Sequence, residues 1–93
     1  MSVVFKETFP LGVDEFELQL PAGADILDVQ MQRDQPCIWF RCEGVEPNEL
    51  RNFRVAGTGH ELESPRGSDQ QLDYIGTFQS HDEMLVWHLF EIR

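Results

Sequence analysis

The residues best suited to chemistry lie together in the stretch Arg51-Asn52-Phe53-Arg54-Val55-Ala56-Gly57-Thr58-Gly59-His60. Two guanidinium groups, a hydroxyl between two glycines and an imidazole are the ingredients of an anion site. Glycines let successive backbone N–H groups turn toward one point, and Arg51, Arg54 and His60 supply positive charge. A small phosphorylated or nucleotide ligand is the guest such a cradle would take. Arg51, Arg54, Gly57, Thr58, Gly59 and His60 are therefore the candidate ligand- or partner-binding residues. The stretch lacks the lysine of a P-loop, and it reads as a strand entering a loop rather than a loop entering a helix. The plainer reading is a turn whose glycines take positive φ.

Other chemistry has less to build on. The histidines are His60, His81 and His88, and the cysteines are Cys37 and Cys42. A zinc site needs three or four ligands in compatible geometry, and no paired Cys or His spacing of that kind occurs. No metal and no cofactor are expected. His88 shares a strand face with Val86 and Phe90 and reads as a hydrogen-bonded core or interface histidine. Arg41 is the one cation beside either thiol, and it flanks Cys42 rather than framing a thiolate. The carboxylates are scattered over strand faces and loops. No catalytic set emerges, and the chain is not expected to be an enzyme.

Seventeen acidic residues against seven basic ones give a net charge of -10. Binding to a nucleic-acid backbone needs clustered Lys and Arg, so direct nucleic-acid binding is not expected. The balance suits solubility, a basic partner or a cation. Glu15, Glu17, Asp25 and Asp28 would also allow an acidic imitation of a phosphate array, or simply a solvated face that keeps edge strands apart. No apolar run approaches the length of a membrane span, and no cationic leader precedes an apolar stretch. Cys37 and Cys42, an odd number of residues apart on one strand, point to opposite faces and cannot bridge each other. Two buried thiols in a reducing cytoplasm is the expectation.

The elements that would position these groups are strands. Ninety-three residues make one domain, residues 1–93, with material for one core. A domain of this size has modest stability, which admits a homodimer or a partner. Val3 to Phe9 is rich in strand formers. Glu15 to Leu20 alternates strictly, with Phe16, Leu18 and Leu20 on one face, and is expected to pair with the first segment. Asp25 to Gln32 alternates again with Leu27, Val29 and Met31 inward. After the turn Arg33-Asp34-Gln35-Pro36 it returns as the doubly apolar Cys37 to Cys42, a hairpin whose second arm is central.

An acidic connection, with room for a short helical turn after Pro47, leads to a strand over Leu50 to Ala56. Residues 61–71 read as a mobile loop, and 80–83 as a tight polar turn. Leu72 to Gln79 is a strand in which Gly76 marks a bulge or a close backbone approach. Met84 to Arg93 closes the chain as a long apolar strand. Trp39, Phe40, Trp87 and Phe90 are expected in the core, and an exposed tryptophan would mark an interface. Six to seven short strands without helical periodicity predict an all-β fold, a small antiparallel sandwich or partly open barrel.

Several blocks carry a resemblance: Ile26-Leu27-Asp28-Val29-Gln30, Pro36-Cys37-Ile38-Trp39, Arg51 to His60, Tyr74-Ile75-Gly76-Thr77-Phe78-Gln79 and Leu85-Val86-Trp87-His88-Leu89-Phe90-Glu91. In this order they resemble a family of small uncharacterised bacteriophage and prophage proteins, over about residues 14 to 92. The resemblance implies no chemistry. It implies an accessory protein in the cytoplasm of a bacterial host cell, acting by non-covalent binding to a host protein as an inhibitor of its physiology or defence. The phosphorylated-ligand binder and the acidic nucleic-acid mimic are the alternatives.

Overall fold

The computed structural model describes residues 1–62, 71–80 and 84–93. Among these residues seven strands form: β1 Val3–Thr8, β2 Glu15–Pro21, β3 Asp25–Gln32, β4 Gln35–Cys42, β5 Asn48–Gly57, β6 Leu72–Ser80 and β7 Leu85–Ile92. All pairings are antiparallel, in a three-stranded sheet ordered β1-β4-β3 and a four-stranded sheet ordered β2-β5-β7-β6. The all-β sandwich is thus as the alternation foretold, and the sheets do not close into a barrel. Among the described residues no helix is long and apolar enough to cross a membrane. The turn after Pro47 is no helix either, since β5 runs unbroken from Asn48. The expected mobile loop over 61–71 and the turn over 80–83 fall mostly outside the described residues.

An aromatic line ties the sheets together. Phe9 stacks on Phe16 at 4.6 Å between centroids, Phe16 stacks on Phe53 at 5.2 Å, and Phe78 meets Phe9 edge-on at 5.8 Å. Leu20, Val29, Ile38, Phe53, Phe78 and Leu89 are fully buried around it. Each contributes about 1.5–3 kcal/mol of burial, which is how so short a chain offsets its ordering entropy.

Two pairings differ from the sequence expectation. β1 pairs with β4, not with β2, so the first two strands belong to different sheets. The six residues between them cross the sandwich instead of making a hairpin, with Phe9 and Phe16 packed on each other where they cross. In β3, Ile26 and Met31 lean on the core while Leu27 stands 49 % exposed. A register break between Ile26 and Asp28 is the cause, because one extra residue turns the side chains after it to the other face.

β4 is the centre of its sheet, as expected of a strand apolar on both faces. Ile38, Phe40 and Cys42 enter the core, while Cys37 and Trp39 take the outer face. Both thiols are free and buried. Phe40 is in the core and Trp87 packs against it, whereas Trp39 and Phe90 lie half-buried on outer faces. The hairpin between β3 and β4 turns in two residues, Arg33 at φ 52° and Asp34 at φ 67°. Two positive angles are what a type I′ turn requires.

The sandwich is closed on one side only. Edge strands β3 and β6 approach each other closely, and the break in register between Tyr74 and Gly76 falls at this seam. Among the described residues no strand lies beyond the opposite edges, β1 and β2, and residues 9–14 and 43–47 cross between the sheets there. All six residues of β1 are exposed.

Candidate functional site

The candidate residues do not converge. Arg51 and Gly57 stand six residues apart on β5, about 20 Å at the rise of an extended strand. Arg51 faces the interior at one end of the sandwich. Its Nε and a terminal nitrogen donate to the two carboxylate oxygens of Glu91 at 2.6 and 2.7 Å, and its other terminal nitrogen donates to the carbonyl of Ala24. The side chains of Arg51 and Glu91 are 12 % and 9 % exposed. The hydrogen bonds donated to Glu91, reinforced by its charge and that of Glu49, raise the guanidinium pKa above its ordinary value against the cost of burial. This pair joins β5, β7 and the start of β3.

Arg54 lies on the outer face of the four-stranded sheet yet is only 5 % exposed. It donates to the carbonyls of Glu61 and Leu62 at 3.0 and 3.3 Å and lies 3.8 Å from Asp14. Its role is to fasten the segment after the glycine loop onto β5.

The loop itself is a turn closed by the His60 N–H on the Gly57 carbonyl at 3.0 Å, with Gly59 at φ 88° in its third position. That is where a type II turn needs positive φ. A Cβ on Gly57 would lie 2.8 Å from the exposed His60 ring, so the ring can rest against the strand only while residue 57 is glycine. The Thr58 N–H is taken by the Val86 carbonyl at 3.2 Å, so the amides of Thr58 and His60 both serve the fold. The Thr58 hydroxyl meets His88 Nε2 at 2.8 Å, and His88 Nδ1 meets the Thr77 hydroxyl at 2.9 Å. Thr77 in turn bonds the Tyr74 hydroxyl. His88 is thus held at both nitrogens, and the chain of hydroxyls ends at the exposed Tyr74. His81 lies outside the described residues, and among those described no three metal-ligating side chains gather.

A backbone anion cradle does exist, at 43–46, and the protein's own Glu46 fills it. The N–H groups of Glu43, Gly44 and Val45 point at its carboxylate at 3.1, 3.0 and 3.2 Å. Its own N–H pulls hardest, and these three add to it against the cost of desolvation, so the carboxyl titrates below its ordinary 4.5. The cradle's hold is present above that value and is lost as pH falls through the lowered one. A carboxyl-resolved NMR titration is expected to place the Glu46 midpoint below 4.5. A midpoint at or above it would mean the cradle does not form in solution.

The acidic side chains proposed for phosphate imitation are divided. Glu15 and Glu17 line edge strand β2, whereas Asp25 pairs with Arg41 at 2.7 Å on the other sheet, and Asp28 accepts the N–H of Val29. A cleft of about 570 Å³ lies over the Arg51 end and includes Asp25, Glu49, Asp73 and Arg93 in its walls.

The blocks that make these contacts run the length of the sequence, and so does the match to a known family. A family model described as a domain of unknown function, DUF7352, covers residues 1–93. The chain belongs to this family. No curated protein and no solved structure matches it. The DUF7352 fold therefore has to be read for function from its own surface. Glu91 is the residue the sequence argument passed over, although a signal was there. A lone carboxylate inside the apolar run Leu85 to Ile92 has to find a cation or face solvent.

Proposed function

We propose that this DUF7352 chain is a non-covalent binding protein that takes an extended, basic segment of a bacterial protein along the free edge of β1. The observation that carries this reading is the contrast between the two unpaired edges. β2 presents Glu15 and Glu17 and ends in Pro21, features that discourage a further strand. The first half of β1 has no such guard: Val3, Val4 and Phe5 are 39 %, 55 % and 46 % exposed. Val3 and Phe5 lie on the core side of the sheet but project beyond the cover of the second sheet, with the Phe5 and Phe40 ring centroids 6.1 Å apart. An added strand would gain ladder hydrogen bonds from β1 and bury these side chains. The charge of -10 favours a basic segment. In the phage-type setting that the sequence resembles, occupying such a segment of a host protein inhibits it.

Capture from bacterial lysate tests this with a charge pair at one site. Val4→Lys places a like charge against a basic segment and is expected to weaken capture about tenfold, while Val4→Glu retains it. Both variants are expected to melt with the unsubstituted protein, because Val4 faces solvent. Equal capture by both would remove β1 from the interface.

A further inference from the structure

Four arginines of the described residues have a carboxylate within ion-pair distance: Arg41 has Asp25, Arg51 has Glu91, Arg54 has Asp14 and Arg93 has Asp73. Among the described residues, Lys6 and Arg33 are the side-chain cations with no such partner. In a chain of 17 acids and 7 bases that is the exception, and the two occur together. Both line a cleft of about 360 Å³ on the outer face of the three-stranded sheet, with Thr8, Gln32, Gln35 and Cys37. Among the described residues no carboxylate lines it. Asp34, the other residue of the hairpin turn, does not contribute to its wall.

The walls are fixed in a way that leaves donors over. Lys6 Nζ donates to the side-chain oxygen of Gln32, which leaves the amide nitrogen of Gln32 as a donor. Gln35 donates to the carbonyl of Phe9 at 2.8 Å, and the Cys37 thiol donates to the carbonyl of Gln35 at 3.4 Å. What remains toward the cleft is an ammonium, a guanidinium, an amide and a hydroxyl. Arg33 also holds φ at 52°, a conformation that asparagine or glycine adopts at less cost, so the hairpin keeps arginine against its own stability.

We propose that Lys6 and Arg33, with Thr8 and Gln32, form a binding site for a phosphate-type oxyanion, either free or as the phosphoryl group of a small molecule. The site is separate from the Gly57–His60 turn and does not depend on the partner docking along β1.

Two-dimensional NMR titrations with inorganic phosphate and with phosphoserine, at matched ionic strength, test it. Saturable shifts are expected at residues 6, 8, 32, 33, 35 and 37. Lys6→Gln and Arg33→Asn should each weaken binding about tenfold, the weight of one charge-assisted hydrogen bond. Arg33→Asn should also raise the melting temperature, which separates lost binding from lost folding. Tighter binding of phosphoserine assigns the site to an organic phosphate, and equal binding assigns it to the free anion. Absence of saturation, unchanged affinity in both variants, or shifts centred on the Gly57–His60 turn would overturn the proposal.

Discussion

Arg51→Ala is expected to destabilise the domain by about 3–5 kcal/mol, which is much of the 5–15 kcal/mol that holds a typical domain folded. The loss comes less from the missing attraction than from what stays behind. Glu91, buried one residue before the end of β7, would keep its charge with both partner nitrogens gone, and the Ala24 carbonyl would lose its donor. At roughly 4–8 °C per kcal/mol for a domain of this size, the melting temperature should fall by about 12–40 °C. The paired replacement Arg51→Met with Glu91→Leu tests the cause, because it removes both charges and should recover most of the loss. Denaturant unfolding of the single and double variants measures both. A single variant that unfolds with the unsubstituted protein would show that water already reaches the pair in solution.

That fastening explains why the sequence was easier to read for fold than for site. Strand identity is local: the alternation of Phe16, Leu18 and Leu20, and the two-faced apolar run Cys37 to Cys42, each stand in one window. Partner choice is not local. Nothing in Val3 to Phe9 records that its neighbour is β4 rather than β2, because both present apolar residues at the same period. The bulge that turns Leu27 outward likewise costs one residue of register and leaves alternation intact on either side. Arg51 and Arg54 looked alike on opposite faces of one strand. The first is claimed by a carboxylate forty positions later, and the second by carbonyls seven and eight positions on.

The same distinction separates the two glycine features. Gly57 and Gly59 announced an anion cradle, but the amides of Thr58 and His60 are drawn into the fold by Val86 and Gly57. The cradle that does form holds Glu46, four residues from the end of β4, and needs no guest. Among the described residues, positive charge without a carboxylate partner sits instead on Lys6 and Arg33. They are 27 positions apart in sequence and adjacent only because β1, β3 and β4 form one sheet. A chain so acidic leaves its cations in carboxylate pairs wherever the fold permits. The pair it leaves open is therefore informative in a way that glycine spacing is not.

Gly76→Ala is expected to cost about 1–3 kcal/mol, the usual penalty for forcing one extra carbon into a filled space. Gly76 has no positive φ to excuse it, so the backbone does not demand glycine there. The space does: a Cβ would stand 2.8 Å from Val29 Cγ1, and Val29 is fully buried with no room to turn aside. The contact lies on the seam where β6 meets β3, so the strain would push apart the one side on which the sandwich is closed. Val29→Ala relieves the clash while leaving a void of its own. The double variant should therefore be less destabilised than the sum of the single ones, by about 0.5–3 kcal/mol in a double-mutant cycle. Strict additivity, or a Gly76→Ala protein as stable as the parent, would mean that β3 and β6 are further apart in solution. In that event the sandwich would be open on both sides, and β1 would be one of several unguarded edges among the described strands.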